Sequence, residues 1–210
     1  MDTVALARSP NLKNAREHNL SLIEDACLAY GNSIEGRPIG SFGDVSVLSF
    51  GYDKPIDCGY GGALLTNSFG IKKRVDAFVG SNRFFEFDSD RLTVDEVCNG
   101  LTKLPVDVKR RIAVSQKLDQ AVFERAVTKP STAKDTAYWR YPLLANGNRW
   151  AMIDAAKAHG VLFTAHYKSL ASFATNSSCK TADQISERVL NVFVRPQSSD
   201  SYVENAIEFL

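Results

Sequence analysis

The sequence predicts an α/β protein, in which a sheet-based part is followed by a smaller α+β part. Short apolar runs alternate with segments of helical periodicity along the chain, as strands and helices do in α/β proteins. The hydrophobic share of 44% and the charged share of 23% are typical of a globular chain that buries a core. A length of 210 residues suits one large domain or two small ones, and we predict two, at residues 1–110 and 111–210.

In the first part, three short apolar runs indicate strands. The run "LSLIED" is typical of a buried parallel strand whose carboxyl end reaches a loop at Asp25. "VSVLSF" indicates a second buried strand, ending at Ser49 and Phe50, and "GALLTN" a third, with a glycine-rich connection before each. Residues 12–19 are expected to be the end of a helix, and further helices are expected at 69–80 and from 93 to about 125, the last broken at Pro105.

The second part alternates shorter elements. A strand is expected within "STAKDTAYWRYPLLANG", and the helix "RWAMIDAAKAHG" should end at Gly160. "VLFTAHY" indicates another strand, and "TADQISERVLNVFVRP" a helix that runs into a strand stopped at Pro196. "SYVENAIEFL" predicts a closing amphipathic helix.

Composition excludes several classes of function. Twenty-five basic residues face 24 acidic ones, so no basic field is available to attract nucleic acid. The apolar runs are too short to cross a membrane, and the first residues lack the pattern of a secretory signal. The four scattered cysteines are typical of reduced thiols in a cytoplasmic protein, and neither they nor the three histidines have the spacing of a metal site.

An acid, a hydroxyl and an amine are expected together at one end of the sheet. Asp25 and Ser49 close two strands, Lys54 follows in "SFGYDKPIDCGYGG", and ligands of open α/β sheets collect outside the carboxyl ends of the strands. Pyridoxal phosphate requires such groups: a lysine for the Schiff base, an acid beside the pyridine nitrogen and a hydroxyl for the phosphate. A simpler interpretation stays open from the pattern alone, with Lys54 a solvated loop charge, Asp25 a loop acid and Ser49 a turn hydroxyl.

The order of these residues resembles a known family. The segment from "LIEDACLAYG" to "GYGGALLTN" resembles the signature region of the DegT/StrS-type aminotransferases, without insertion or deletion. Their pattern reads I-E-D-A-A-Q-A-H-G, then G-R-x-x-G-S-x-G-D, then S-F-x-x-x-K-x-x-x-x-G-E-G-G-x-x-x-T-N. The matching positions are Ile23, Glu24, Asp25, Ala26, Gly36, Arg37, Gly40, Ser41, Gly43, Asp44, Ser49, Phe50, Lys54, Gly59, Gly61, Gly62, Thr66 and Asn67. Weaker similarity continues to the end of the chain.

The resemblance implies a fold, a cofactor and an activity. The fold would be part of the large domain of a pyridoxal phosphate-dependent transferase, of the aspartate aminotransferase type, followed by a small C-terminal domain. The activity would be transfer of an amino group from an amino acid such as glutamate to a nucleotide-linked keto sugar. Lys54 would carry pyridoxal 5'-phosphate as an aldimine and move a proton, Asp25 would face the pyridine nitrogen, and Ser49 would donate to the phosphate.

Three residues depart from the family pattern. Leu28 replaces a glutamine, Tyr60 replaces the glutamate of G-E-G-G, and Ser89 replaces an asparagine that reaches the cofactor phosphate of a neighbouring subunit. A leucine can pack on the cofactor ring but cannot hydrogen-bond to it.

Length is a further departure. Family members are nearly twice as long, and the helix N-terminus that grips the phosphate in them has no counterpart here. The alternative is therefore a truncated or degenerate, non-catalytic member of the fold, acting as a binding or assembly module or as one half of a split enzyme. The resulting open strand edges, with "VALA" at 4–7 as a remnant of one neighbour, predict a homodimer or an upstream partner fragment.

Overall fold

The computed structural model describes residues 10–82, 88, 90–122, 127–129, 136–166, 168–173, 178–194 and 198–210. Two compact units divide the chain, Met1–Lys109 and Arg110–Leu210. The first unit contains, in order, α1 (Pro10–Glu17), β1 (Ile23–Asp25), β2 (Ser33–Ile34), β3 (Arg37–Pro38), β4 (Val45–Ser49), β5 (Gly62–Leu65), α2 (Phe69–Ser81) and the start of α3 (Val94–Ala121). The predicted remnant strand at 4–7 lies outside the described residues.

The three predicted strands of the first unit form one sheet in the order β1-β4-β5. β1 is parallel to β4, with Asp25 opposite Val47, as the sequence predicts for a parallel strand. β5 is antiparallel to β4, with Ser49 opposite Gly62. The short β2–β3 ladder lies within a segment that the sequence indicates only as a connection. This register brings the ends of β1 and β4 and the start of β5 to one end of the sheet.

One face of this sheet is covered and the other is open. Glu24 and Ser46 are each 1% exposed, whereas Ile23 is 70% and Leu64 43% exposed. The prediction of a wholly buried strand at 20–25 is therefore wrong, because alternate residues of a strand point to opposite faces and only Glu24 of β1 is buried. The small core beneath the covered face consists of Ala26, Tyr30, Ile39, Phe50, Ile56 and Leu92.

The helices of the first unit agree with the sequence except at Pro105. α2 begins after Ser68, whose hydroxyl accepts a hydrogen bond from the amide of Ile71, 3.3 Å away. α3 is continuous over 28 residues through Pro105, so the predicted break there is wrong. Proline removes one backbone hydrogen bond, but Leu104 packs on the first core and Leu118 is buried in the second unit. These contacts on both sides outweigh the local cost of the proline.

The second unit is built on an antiparallel sheet of four strands. Its further elements are β6 (Val127–Thr128), β7 (Arg140–Ala145), α4 (Arg149–Ala158), β8 (Phe163–Thr164), a 3-10 turn (Leu170–Phe173), α5 (Lys180–Arg188), β9 (Val189–Phe193) and α6 (Asp200–Phe209). The strand order is β6-β7-β9-β8. The strands and helices predicted for this half are present, and Gly160 follows α4 at a φ of +73°. Pro196 lies outside the described residues, so the predicted stop there stays a prediction.

Two findings concern membranes and cysteines. Across the described ranges, no helix combines the length and the apolar character needed to cross a membrane. Cys27, Cys58, Cys98 and Cys179 are free thiols.

We expect the open face of the first sheet to drive self-association. Among the described residues, β1 and β5 are the outer strands of this sheet. Ile23 and Leu64 expose apolar surface on its open face, which a monomer leaves in contact with water. Light scattering after size exclusion should show a dimer or larger species, and Leu64→Lys should shift it toward monomer. Leu162→Lys, at an exposed position of the second unit, is the control. A monodisperse wild-type monomer that binds no hydrophobic dye would contradict this expectation.

Candidate active site

The three residues singled out from the sequence lie at the same end of the first sheet. Asp25 and Ser49 are the last residues of the parallel strands β1 and β4, and Lys54 follows in the next loop. The charge of Lys54 is close enough to act on the pKa of Asp25. An acid, a hydroxyl and an amine are thus brought together although they are far apart in the sequence. Ser49 lies 24 residues after Asp25, and Lys54 lies 29 residues after it.

Asp25 is held as a carboxylate by its neighbour Cys27. Hydrogen bonds from the Cys27 side chain and backbone hold the pKa of Asp25 below its ordinary value. Burial opposes this effect, and the charge of Lys54 adds to it by a smaller amount. The Cys27 amide lies 3.1 Å from Asp25 Oδ1. The acid is therefore ionised at neutral pH, as a partner for a protonated ring nitrogen must be.

Cys27 belongs to the site as well, although no motif in the sequence points to it. Burial, followed by the neighbouring Asp25, raises the pKa of the Cys27 thiol to about 11, so the thiol stays protonated at neutral pH. Its Sγ also lies 3.6 Å from the carbonyl oxygen of Val47 on β4. The signal in the sequence is its position two residues after Asp25, where an aspartate side chain commonly accepts a backbone hydrogen bond.

Lys54 sits on a loop of defined shape, residues 50–61, which we call the lysine loop. Its base is closed by two backbone hydrogen bonds, from Phe50 N to Gly61 O at 3.0 Å and from Cys58 N to Phe50 O at 2.9 Å. The Lys54 amide donates to Gly51 O over 3.3 Å. The amine is thus presented by a closed turn beside the end of β4.

The carboxylate of Asp57 holds the interior of the lysine loop. It accepts hydrogen bonds from the amide of Asp53, at 2.8 Å, and from the amide of Gly59, at 2.9 Å. Asp53 has a φ of +64°, which is unfavourable for a residue with a side chain. The bond from Asp57 stabilises this conformation directly before Lys54.

Ser49 provides the hydroxyl of the site. Its Oγ accepts a hydrogen bond from the amide of Gly51 at 3.3 Å, which leaves the hydroxyl proton to be donated to an anionic oxygen. Opposite Ser49, a side chain at Gly62 would place its Cβ 2.4 Å from the carbonyl oxygen of Leu48. Gly62 is therefore required by the close approach of β5 to β4, rather than by a ligand.

The departures from the family pattern have different structural consequences. Leu28 is 42% exposed three residues after Asp25 and brings an apolar surface near the site. The Tyr60 hydroxyl accepts a hydrogen bond from the amide of Asp88 at 3.2 Å, and its ring lies 4.3 Å beneath the guanidinium of Arg91. Tyr60 therefore links Asp88 and Arg91 to the lysine loop. Ser89 lies outside the described residues.

The donor set fits pyridoxal phosphate. An ionised carboxylate, an amine and a hydroxyl are the side chains needed at its ring nitrogen, its carbonyl carbon and its phosphate. In the described part of the chain, no three His, Cys, Asp or Glu side chains are grouped as a metal ion would require.

Comparison with known proteins shows which family the first part of the chain is similar to. Residues 10–89 match the DegT/DnrJ/EryC1/StrS aminotransferase family, and this span contains Asp25, Ser49 and Lys54. Over these residues the chain is similar to this family. GDP-perosamine synthase of Vibrio cholerae is 30% identical over 136 residues, which cover 59% of this chain and 37% of that protein. L-glutamine:scyllo-inosose aminotransferase of Streptomyces griseus is 29% identical over 151 residues, which cover 60% of this chain and 36% of that protein.

A solved aminotransferase structure shows the family fold. Helicobacter pylori PseC, an aminotransferase involved in the biosynthesis of pseudoaminic acid, superposes with a TM-score of 0.78 at 20% sequence identity. The match covers 94% of this chain and 60% of that one. The predicted α/β fold, part of the fold of such an aminotransferase, is thereby confirmed. The chain spans little more than a third of the length of the two curated relatives.

Proposed function

We propose that this protein is a pyridoxal phosphate-dependent aminotransferase that acts on a nucleotide-linked keto sugar. The observation that carries the proposal is the meeting of Lys54, Asp25 and Ser49 at the carboxyl ends of β1 and β4. Its support from relatives is the similarity to a GDP-perosamine synthase and to an inosose aminotransferase. An amino acid such as glutamate is the proposed amino donor.

Each of the three residues has a distinct proposed task. When bound, pyridoxal phosphate supplies an electron sink for the carbon that carries the amino group. Lys54 holds the cofactor covalently and then carries a proton to and from that carbon. Asp25 keeps the ring nitrogen protonated, and the Ser49 hydroxyl donates to the phosphate.

A non-catalytic role on the same fold is the second candidate. Leu28, which cannot hydrogen-bond to a cofactor ring, and the exposed sheet face around Ile23 and Leu64 favour a binding or assembly module. In that case the open face would serve a second copy or a complementary fragment. Cofactor capture by Lys54 distinguishes the two candidates.

Capture of pyridoxal phosphate by Lys54 tests the proposed function. The protein mixed with pyridoxal phosphate should show a yellow absorbance. After borohydride reduction, the mass of the cofactor should remain on the peptide that contains Lys54. We expect weak binding, because the described site offers the phosphate chiefly Ser49. Lys54→Ala should lower the label by about tenfold or more, since Lys54 is the lysine whose charge acts on Asp25.

Lys73→Ala is the matched control, because Lys73 is an exposed lysine of α2 in the same unit. It should retain the wild-type label. Equal labelling of wild type and Lys54→Ala would show that the captured cofactor is attached elsewhere and would remove the basis of the proposal.

A further inference from the structure

The hydroxyl of Tyr30 joins three parts of the candidate site. Tyr30 lies five residues after Asp25, is 4% exposed, and packs its ring edge-on against Phe50 with the ring centroids 6.3 Å apart. Its hydroxyl donates to the carbonyl oxygen of Ser49 at 2.9 Å and accepts from the amide of Ile56 at 2.8 Å. One hydroxyl therefore links the segment after Asp25 to the end of β4 and to the lysine loop.

The bond to Ile56 matters because of where this amide lies. Ile56 is 2% exposed and only two residues after Lys54, so its amide has little access to water. A buried amide that loses its acceptor is unfavourable, and the loop will shift to avoid that state. The hydroxyl of Tyr30 therefore holds the backbone two residues after Lys54, although Tyr30 is far from Lys54 in the sequence.

We propose that Tyr30 is a positioning residue, whose hydroxyl fixes the lysine loop so that the Lys54 amine points toward the Asp25 end of the sheet. This inference rests on the proposed function of Lys54 as the amine that captures the cofactor. Tyr30 acts through Ser49 and Ile56 and does not touch the reacting atoms.

Two further observations support this role. Burial raises the pKa of Tyr30 to about 12, so the hydroxyl keeps the proton that it donates to Ser49 throughout the neutral range. The family pattern has histidine, in A-H-G, where this chain has Tyr30, so the link is a feature of these residues and does not follow from the resemblance.

The test compares Tyr30→Phe with a matched loss of another buried hydroxyl. Tyr30→Phe keeps the ring that packs on Phe50 and removes only the hydroxyl. Tyr141→Phe is the control, because Tyr141 is 0% exposed, lies in the second unit and donates its hydroxyl to Asp119. Both variants lose one buried hydrogen bond, but only the first loses a bond to the lysine loop.

Three measurements are made on each variant. Amide exchange reports on Ile56 and needs no cofactor. Acetylation by an N-hydroxysuccinimide ester, read by peptide mass spectrometry, reports the reactivity of Lys54 relative to the exposed Lys157. The rate of borohydride-trapped capture of pyridoxal phosphate is measured as a function of its concentration, which separates the half-saturation concentration from the maximal rate.

For Tyr30→Phe we expect Ile56 exchange to rise about tenfold and acetylation of Lys54 relative to Lys157 to rise about threefold as the loop opens. The maximal rate of cofactor capture should fall about tenfold with little change in half-saturation, because the amine is misdirected while Ser49 remains. This opposite response to a small acylating reagent and to the cofactor distinguishes positioning from a general loss of stability. Tyr141→Phe should leave all three values at those of the wild type.

The outcomes separate this inference from the proposed function. If Tyr30→Phe gives the acetylation ratio and capture rate of Tyr141→Phe, the positioning role is overturned. If the wild type captures no cofactor on Lys54, the proposed function fails, and amide exchange with the acetylation ratio still decides whether Tyr30 positions the loop. If Tyr30→Phe does not fold, Tyr30→His is measured in its place and should show the same directions, because its ring is too short to bridge Ser49 and Ile56.

Discussion

Replacing Asp25 by asparagine is expected to lower the turnover of the proposed amino transfer by about 100-fold or more, with substrate binding much less affected. The substitution keeps the size of the side chain. It also keeps an oxygen that can accept a hydrogen bond from the Cys27 amide, which lies 3.1 Å from Asp25 Oδ1 in the wild type. It removes the negative charge that would keep the pyridine nitrogen protonated. The loss should therefore appear in the chemical step.

The pH dependence of the Asp25 carboxylate follows from its hydrogen bonds. Those from Cys27 lower the pKa of Asp25 from its ordinary value of 3.8. Folding therefore favours the ionised form of Asp25. This contribution to stability is fully present at a pH above the ordinary pKa and is lost as the pH falls through the lowered pKa of the folded state. At neutral pH the wild-type carboxylate stays charged, so the effect of asparagine should be nearly constant from pH 6 to pH 8.

The half-reaction with glutamate measures the effect without the sugar substrate. Conversion of bound pyridoxal phosphate to its amino form is followed by absorbance in a single turnover. Asp76→Asn is the control, since Asp76 is an exposed acid on α2 whose charge faces Lys72. Near-normal conversion by Asp25→Asn would mean that another acid serves the ring nitrogen, whereas equal loss in both variants would indicate a general effect of charge.

The sequence predicts the end of the sheet that carries the site, because strand ends follow from short-range patterns. A polar residue that closes an apolar run marks the end of a strand, and parallel pairing places two such ends together. Asp25 and Ser49 meet in this way. Cys27 and Tyr30 belong to the turn after β1, where the sequence shows no periodicity, and their contacts depend on how the turn folds back on β4.

Burial and continuity are less accessible from the sequence. An apolar run shows that a strand would be stabilised by packing against other residues, but not whether those residues are present. Ile23 is 70% exposed. Pro105 marks a local preference that the packing of its neighbours in α3 overrides. The run "LSLIED" ends in two acids, and nothing in it distinguishes the exposed Asp25 from the buried Glu24.

Glu24 is a buried carboxylate that organises the loop between β3 and β4. Its Oε1 accepts a hydrogen bond from the amide of Gly40 at 2.7 Å. Its Oε2 accepts from the amides of Phe42, at 2.9 Å, and Gly43, at 3.3 Å, and from the hydroxyl of Ser46, at 3.1 Å. The carboxylate thus fastens residues 40–43 against β1 and β4, on the face of the sheet opposite to Asp25.

We expect Glu24→Ala to reduce the free energy of unfolding of the first unit by about 3–5 kcal/mol, because it leaves several donors without an acceptor in a site that is 1% exposed. Glu24→Gln should cost less, since it keeps one acceptor oxygen but turns an amide group toward amide donors. Urea unfolding measures the free energy of unfolding of both variants, and amide exchange assigns the loss to the first unit.

Glu17→Gln, at an exposed acid of α1, is the control and should change the free energy of unfolding by less than about 0.5 kcal/mol. If Glu24→Ala unfolds like Glu17→Gln, the loop at 40–43 holds its shape without the carboxylate. If Glu24→Ala is destabilised as expected, β1 loses its hydrogen bonds to residues 40–43 on one face of the sheet. The position of Asp25 on the other face is then lost as well.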